Sequence, residues 1–296
     1  MKNVGNRNIL LTIFTPTYNR AYILSQLYNS LCRQTNSEFV WLVVDDGSTD
    51  DTEQLMEQWM LHRQICIRYI KQPNGGKHRA HNTAVEHCYT PWFVCVDSDD
   101  YMVDEAVDII LQRIARLEER KCVEKYSAIV APRKQKELKN ERIFATSNEL
   151  TLTEIYREGF VGETTLVFRT EVLRNYPFPT FDGEKFVTEG VVYDEIDKRY
   201  TMALIPDMLV ACEYMEDGYS LNEKRLFLQN PKGWAYRFNQ RTHLVRTWKE
   251  RYVCCAKYVC FSMMAHQGWL RSANDKFCSL LAIPLAIYYK YTRYKK

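Results

Sequence analysis

Glycine and proline are scarce in this chain of 296 residues, 11 and 9 in all, and neither gathers into a linker or a low-complexity tract. No segment recurs, so collagen-like, Pro/Gly-rich disordered and repeat architectures are excluded. Long apolar runs are missing too. The longest near the carboxyl end, residues 277–289, is interrupted by Ser279 and Pro284. It falls short of the roughly 18 to 20 residues that span a bilayer, so no transmembrane helix is expected. The opening residues 1–8 are polar, with no apolar stretch leading to a small-residue cleavage site. No secretory signal is read there, and the chain is expected in the cytoplasm. Its ten cysteines, scattered from Cys32 to Cys278, include no Cys-x-x-Cys pair. That favours reduced, mostly buried thiols over a disulfide framework.

What is present is an ordinary globular composition, 46% hydrophobic and 26% charged, enough for one large core and an appendage. The formal charge of +3 conceals an asymmetry: residues 223–296 hold 15 Lys and Arg against 3 Asp and Glu, and residues 1–222 hold 25 against 34. The basic segment is a separate electrostatic object, suited to an acidic partner or an anionic membrane surface. A boundary after residue 222 leaves a basic, aromatic-rich, helical extension, 223–296.

The first hundred residues alternate short apolar runs with helically spaced ones, the pattern of a parallel sheet with crossover helices. Strands are expected over 9–15, 39–45, 65–71 and 92–97, and helices over 21–33, 51–62 and 78–87. Asp50 and Glu53 stand at capping-box spacing ahead of the second helix. Further on, a long helix (104–121), a strand (128–133), a charged loop (134–142) and strands at 164–169, 201–205 and 208–214 follow. Phe186-Val187-Thr188-Glu189 opens a helix. Beyond Ser220 the pattern is helical, and Trp234, Tyr236, Phe238 and Trp248 read as packing residues rather than a stacking platform.

In an open α/β sheet, ligands bind beyond the carboxyl ends of the strands. Those positions hold Thr15-Pro16-Thr17-Tyr18-Asn19-Arg20, Asp45-Asp46-Gly47-Ser48, Asn74-Gly75-Gly76-Lys77 and Asp97-Ser98-Asp99-Asp100. Clustered carboxylates repel unless a cation joins them, and hard oxygen ligands suit Mg²⁺ or Mn²⁺. The alternative is an acidic turn leading into the helix near Asp104. Asp45 and Asp46 form either a plain turn or acceptors for a base or ribose. The Gly-Gly turn with Lys77 suits phosphate oxygens at a helix N-terminus. His78 and His81, lacking a third ligand nearby, read as structural or phosphate-side groups rather than a metal pair.

Taken in order, these four motifs resemble glycosyltransferase family 2, strongly over residues 9–110 and more loosely over 111–222. The resemblance implies an α/β fold of the GT-A type, a Rossmann-like, mostly parallel sheet flanked by helices. It also implies inverting, metal-dependent sugar transfer. Carried onto this sequence, it puts Pro16, Tyr18 and Asp46 at the nucleoside, Lys77, Arg79 and Ser98 near the donor, and Asp97 and Asp99 on Mn²⁺ or Mg²⁺ under the diphosphate. An acidic general base belongs after the central region, where Glu189 in Thr188-Glu189-Gly190 fits best and Asp194 and Asp182 are rivals.

The implied partners are a nucleotide-sugar donor, with a UDP-sugar favoured by family habit, and a saccharide or lipid-linked saccharide acceptor. The setting is surface polysaccharide or glycolipid synthesis, with the extension on the inner face of the cell membrane. Nucleotidyl transfer is the competing enzymatic reading, but it wants a Gly-rich basic loop after the first strand. A non-catalytic nucleotide-sugar-binding protein is a third, which the intact acidic cluster disfavours. The basic extension carries no nucleic-acid motif.

Overall fold

A computed structural model describes residues 9–212 and 223–294. The chain divides into two units, Met1–Pro177 with Val192–Tyr214 and Phe178–Val191 with Met215–Lys296. The expected boundary near 222 lies outside the described residues, and the segment Phe178–Val191 groups with the C-terminal helices.

The first unit holds strands β1 (Leu11–Thr17), β2 (Phe39–Asp45), β3 (Ile67–Lys71), β4 (Trp92–Cys95), β5 (Tyr101–Met102), β6 (Tyr126–Pro132), β7 (Glu149–Leu150), β8 (Thr164–Arg169), β9 (Thr201–Leu204) and β10 (Val210–Ala211). Eight of them form one sheet in the order β3-β2-β1-β4-β8-β6-β9-β7, and β10 pairs with β5. The first four are parallel, the arrangement read from the alternating pattern. Every residue of β2 is buried, as a central strand covered on both faces requires. Antiparallel pairing enters through β8, which lies between β4 and β6, and through β7 at the edge.

Helices α1 (Leu24–Cys32), α2 (Thr52–His62), α3 (Lys77–His87) and α4 (Ala106–Glu119) follow the first strands, with shorter α5 (Ile143–Thr146), α6 (Leu152–Arg157) and α7 (Thr170–Asn175) later. The spacing of Leu24, Leu27 and Leu31 buries one face of α1. Tyr28 of that face stacks on Trp59 of α2 with ring centroids 4.1 Å apart, and both rings adjoin Trp41 of β2.

Three expectations are corrected. Asp50 and Glu53 form no capping box: Asp50 instead accepts from the Thr52 amide and hydroxyl and from the Ala21 amide, while Glu53 pairs with Lys71. The helix expected to open at Phe186 begins at Gly190, as α8 (Gly190–Ile196). The strand expected over 208–214 is reduced to β10, its last two positions lying outside the described residues.

The second unit is helical: α9 (Glu223–Gln229), α10 (Pro231–Arg241), α11 (Trp248–Met264), α12 (Lys276–Leu281) and α13 (Ile283–Tyr288). Its core gathers around the fully buried Phe261, against which Phe227, Trp234 and Phe238 pack. Tyr236 and Trp248, expected to pack likewise, are 46% and 66% exposed. Among the described residues no helix is long and apolar enough to cross a membrane.

Candidate active site

Four loops leave the carboxyl ends of β1 to β4, and side chains tie each to the next. After β1, Asn19 adopts a positive φ of 53°, a conformation Asn tolerates better than most residues. From there its backbone amide donates to Ser48 Oγ at 2.8 Å, and its side-chain Oδ1 accepts from the Thr49 amide at 2.8 Å. Asp45, buried at the end of β2, receives the Ser48 amide on one oxygen at 2.7 Å and the Tyr69 hydroxyl on the other.

Asp46 links the second loop to the third. Its Oδ1 accepts from Gln72 Nε2 at 2.7 Å and the Gly75 amide at 2.9 Å, and its Oδ2 accepts from the Gly76 amide at 2.6 Å. The approach is close enough that a Cβ on Gly47, at φ +84°, would meet the Asn74 backbone nitrogen at 3.0 Å. With both oxygens so engaged, Asp46 shapes the turn that leads into α3, in addition to any contact with a nucleoside.

The third loop reaches the fourth through Lys77, in the first turn of α3, whose Nζ lies 2.8 Å from Asp97 Oδ1. Burial raises the affinity of Asp97 for its proton, but Lys77 and then Arg133 outweigh it and hold the carboxyl below its ordinary range. Asp99 is displaced upward, by burial and then by the charge of Asp97. Asp100 turns away from this pair to Arg133 Nη1, 2.7 Å off, and Arg133 also reaches Glu163 at 3.4 Å. Among the described residues the three carboxylates of the motif do not converge on one point. Arg133 takes one of them, which leaves Asp97 and Asp99 as the pair at the end of β4.

Pro16 is half-buried and Tyr18 is 48% exposed at the β1 end, Ser98 is buried between the two acids, and Arg79 follows Lys77 on α3. Thr17 Oγ1 is buried without a hydrogen-bond partner at the same strand end. His78 is 3% exposed and neither of its ring nitrogens has a partner. Burial, with Arg79 adding to it, pushes its pKa down to about 4, so the ring is neutral at pH 7. His81 packs edge-on to Phe14 and Phe93, a core position.

Glu189 comes later in the chain, after β8 and α7. It belongs to the segment Phe178–Val191 of the second unit, exposed and just ahead of α8. That segment is fastened to α10 at several points. Glu184 accepts the Lys232 and Gly233 amides at 2.6 and 2.8 Å, neutralising donors that the helix N-terminus leaves unpaired. Asn230 accepts the Lys185 and Phe186 amides, Arg237 donates to the Gly190 carbonyl at 2.6 Å, and Gln240 donates to the Val191 carbonyl at 2.8 Å. Sequence reasoning missed these anchors, as it missed Arg133, because each joins positions with no fixed spacing. A weak signal existed in both cases, a charged or amide side chain inside an otherwise packing stretch.

The family profile described as Glycosyl transferase family 2 matches residues 12–175, more than half of the chain and all four post-strand loops. The chain is a member of that family. This family 2 transferase is 28% identical over 206 residues to poly(ribitol-phosphate) beta-N-acetylglucosaminyltransferase TarS of Staphylococcus aureus, covering 65% of this chain and 35% of TarS. It is 24% identical over 251 residues to glycosyltransferase GlyA of Streptococcus pneumoniae, covering 82% and 32%. The chain thus spans about a third of the length of these relatives. Crystal structures agree in fold. Residues 1–349 of S. aureus TarS superpose with a TM-score of 0.60 at 18% identity, over 96% of this chain and 90% of that one. A mannosyltransferase from Pyrobaculum calidifontis, in complex with GDP-Man and Mn²⁺, gives 0.57 at 18%, over 98% and 83%. The fold of this family 2 transferase is GT-A.

Proposed function

We propose that this family 2 transferase moves a sugar from a nucleoside diphosphate donor, a UDP-sugar, to a hydroxyl of a saccharide or lipid-linked saccharide in surface polysaccharide synthesis. The observation that carries the reading is the pairing at the end of β4: Asp97 and Asp99 beside Lys77, at the start of α3. A diphosphate is favoured by cationic charge at a helix N-terminus, and Lys77 in the first turn of α3 supplies that charge. TarS has been crystallised with UDP and with UDP-GlcNAc, and the mannosyltransferase with GDP-Man, which supports a nucleotide-sugar donor.

A divalent cation, Mn²⁺ or Mg²⁺, fits the same corner. Its donors would be the hard oxygens of Asp97 and Asp99, and the upward displacement of Asp99 by its neighbour's charge is what a bound cation would relieve. When bound, the metal supplies positive charge against the negative charge gathering on the departing diphosphate. Lys77 shares that task from the protein side, and Asp46 holds the turn that aims the α3 amides. Glu189, exposed ahead of α8, takes the proton of the acceptor hydroxyl as the new glycosidic bond forms and the bond to diphosphate breaks. A single displacement of this kind inverts the anomeric centre. The basic extension belongs to the same reading: placed on an anionic membrane surface at the inner face, it would bring a lipid-linked acceptor to the enzyme.

Calorimetric titration with UDP, UDP-GlcNAc and GDP-Man, each with Mn²⁺, Mg²⁺ or chelator, tests the proposal. UDP binding should strengthen with metal, and Asp99→Asn should lose that gain while keeping its fold. Glu189→Gln should bind donor normally and lose transfer by about 10² to 10⁴. If Asp99→Asn binds UDP and Mn²⁺ as the unaltered protein does, the metal assignment fails. If Asp194→Asn loses transfer and Glu189→Gln keeps it, the base is Asp194.

A further inference from the structure

Between residues 276 and 293 the chain runs through α12, α13 and a closing π turn with six of its large apolar side chains exposed. Toward the unit's interior it presents Cys278, Ser279, Ala282 and Ala286, all buried, with Ile283, Leu285 and Tyr289 half-buried beside them; Cys278 and Ala282 lie against Cys255 and Ala256 of α11. Outward it presents Phe277 (73% exposed), Leu280, Leu281, Ile287, Tyr288 and Tyr291 (65% exposed), with Pro284 between them. Steps of three and four residues put all of these along one helical face. An amphipathic helix packed on a folded body turns its bulky apolar side to the core. Here the packing face combines small residues with Ile283, Leu285 and Tyr289, and a second bulky apolar face stays in solvent. Apolar surface in a continuous stripe marks an interaction site rather than scattered surface residues.

Charge and aromatic placement say what covers it. Lys276, Lys290 and Arg293 border the stripe, and no Asp or Glu follows Asp275. Trp248, 66% exposed, stacks on Tyr252 at 5.3 Å, and the Tyr252 hydroxyl donates to the Leu281 carbonyl, which sets the indole beside the stripe. Exposed tryptophan and tyrosine beside an apolar helical face, with Lys and Arg at its margins, is the composition of a helix lying in a bilayer interface. We propose that this face, from Phe277 to Tyr291 with Trp248 beside it, seats the protein on an anionic lipid surface without spanning it. A self-complementary contact between two copies would bring these cations together with no carboxylate in the segment to neutralise them. Anionic headgroups neutralise them directly. The inference rests on the membrane reading given above and names the face that would carry it.

Flotation with vesicles of phosphatidylcholine alone or with 30 mol % phosphatidylglycerol, at low and high salt, is the test, with UDP binding followed on the same samples. The unaltered chain should float with the anionic vesicles at low salt, and its tryptophan emission should shift to the blue, a shift lost in Trp248→Phe. Phe277→Asp combined with Tyr291→Asp should lose at least tenfold in vesicle affinity at unchanged UDP binding and melting temperature. Lys290→Ser with Arg293→Ser should lose the preference for anionic lipid. If the unaltered chain ignores anionic vesicles, the membrane reading itself fails. If it binds and the Asp pair binds equally well, the membrane reading stands and this face is wrong. A dimer that the Asp pair converts to monomer, with vesicle binding unchanged, would assign the stripe to a second copy. Should the Asp pair fold poorly, the Trp248 shift and the Phe277→Ser, Tyr291→Ser pair decide the question.

Discussion

Asp46 accepts three hydrogen bonds from positions 26 to 30 residues away, and its carboxylate ties the Gly75–Gly76 turn to the end of β2. In Asp46→Asn one oxygen becomes a donor facing amides that are themselves donors. Leaving such groups unpaired costs about 1–3 kcal/mol, so the urea midpoint should fall and UDP affinity with it. An unchanged midpoint would mean the turn holds without it. His78 makes a second prediction. Its folded pKa of about 4 lies below the ordinary 6.5, so as pH falls the unfolded chain takes up the proton first. Stability should therefore decline between pH 6.5 and about 4, by up to about 3 kcal/mol from this group. His78→Leu should flatten that part of the profile, measured by urea denaturation at stepped pH. At this scale the sequence marked the acidic cluster after β4 by residue type alone, and Asp97 and Asp99 do stand together at that strand end. It was silent on Arg133, whose partner Asp100 is 33 residues away and whose strand reads as plain core.

At the scale of elements, periodicity found the first four strands and their helices because burial on both faces of a parallel sheet leaves near-continuous apolar runs. Boundaries slipped by up to three residues: α1 starts at Leu24 rather than 21, and β1 ends two positions later than expected, at Thr17. The two-residue strands β5 and β7 are too short to show a period. The capping-box spacing misled because Asp51 rather than Asp50 is the N-cap of α2, Asp50 turns its side chain to Ala21 and Thr52, and Glu53 pairs with Lys71. Gly47 is where the second and third loops press together. Gly47→Ala must hold a side chain at φ +84° and move the Asn74 backbone, which should cost about 1–3 kcal/mol and weaken UDP binding, read by thermal shift and titration. Normal binding with normal melting would show that the loops can separate at no cost.

For the whole molecule, charge set the basic extension apart in composition, but gave no sign that residues 178–191 group with it. Composition reports what a segment is made of, whereas the grouping here comes from single side chains such as Glu184, Asn230 and Arg237. Truncation after Asn222 removes every α10 partner of the segment that bears Glu189. The shortened chain should keep UDP binding, measured by titration, and lose transfer, measured with labelled donor; retained transfer would show that the anchors are dispensable. The sheet order has a consequence for synthesis. β3, β2, β1 and β4 can pair once Cys95 has left the ribosome, but the far edge of β4 waits for β8, about seventy residues later. At roughly 5–20 residues per second, that edge, Trp92–Cys95, stands open for several seconds on every nascent chain. Unpaired edges of apolar strands recruit one another. Slow codons between positions 96 and 163 should therefore lower the yield of folded enzyme, while the same codons after position 169 should not.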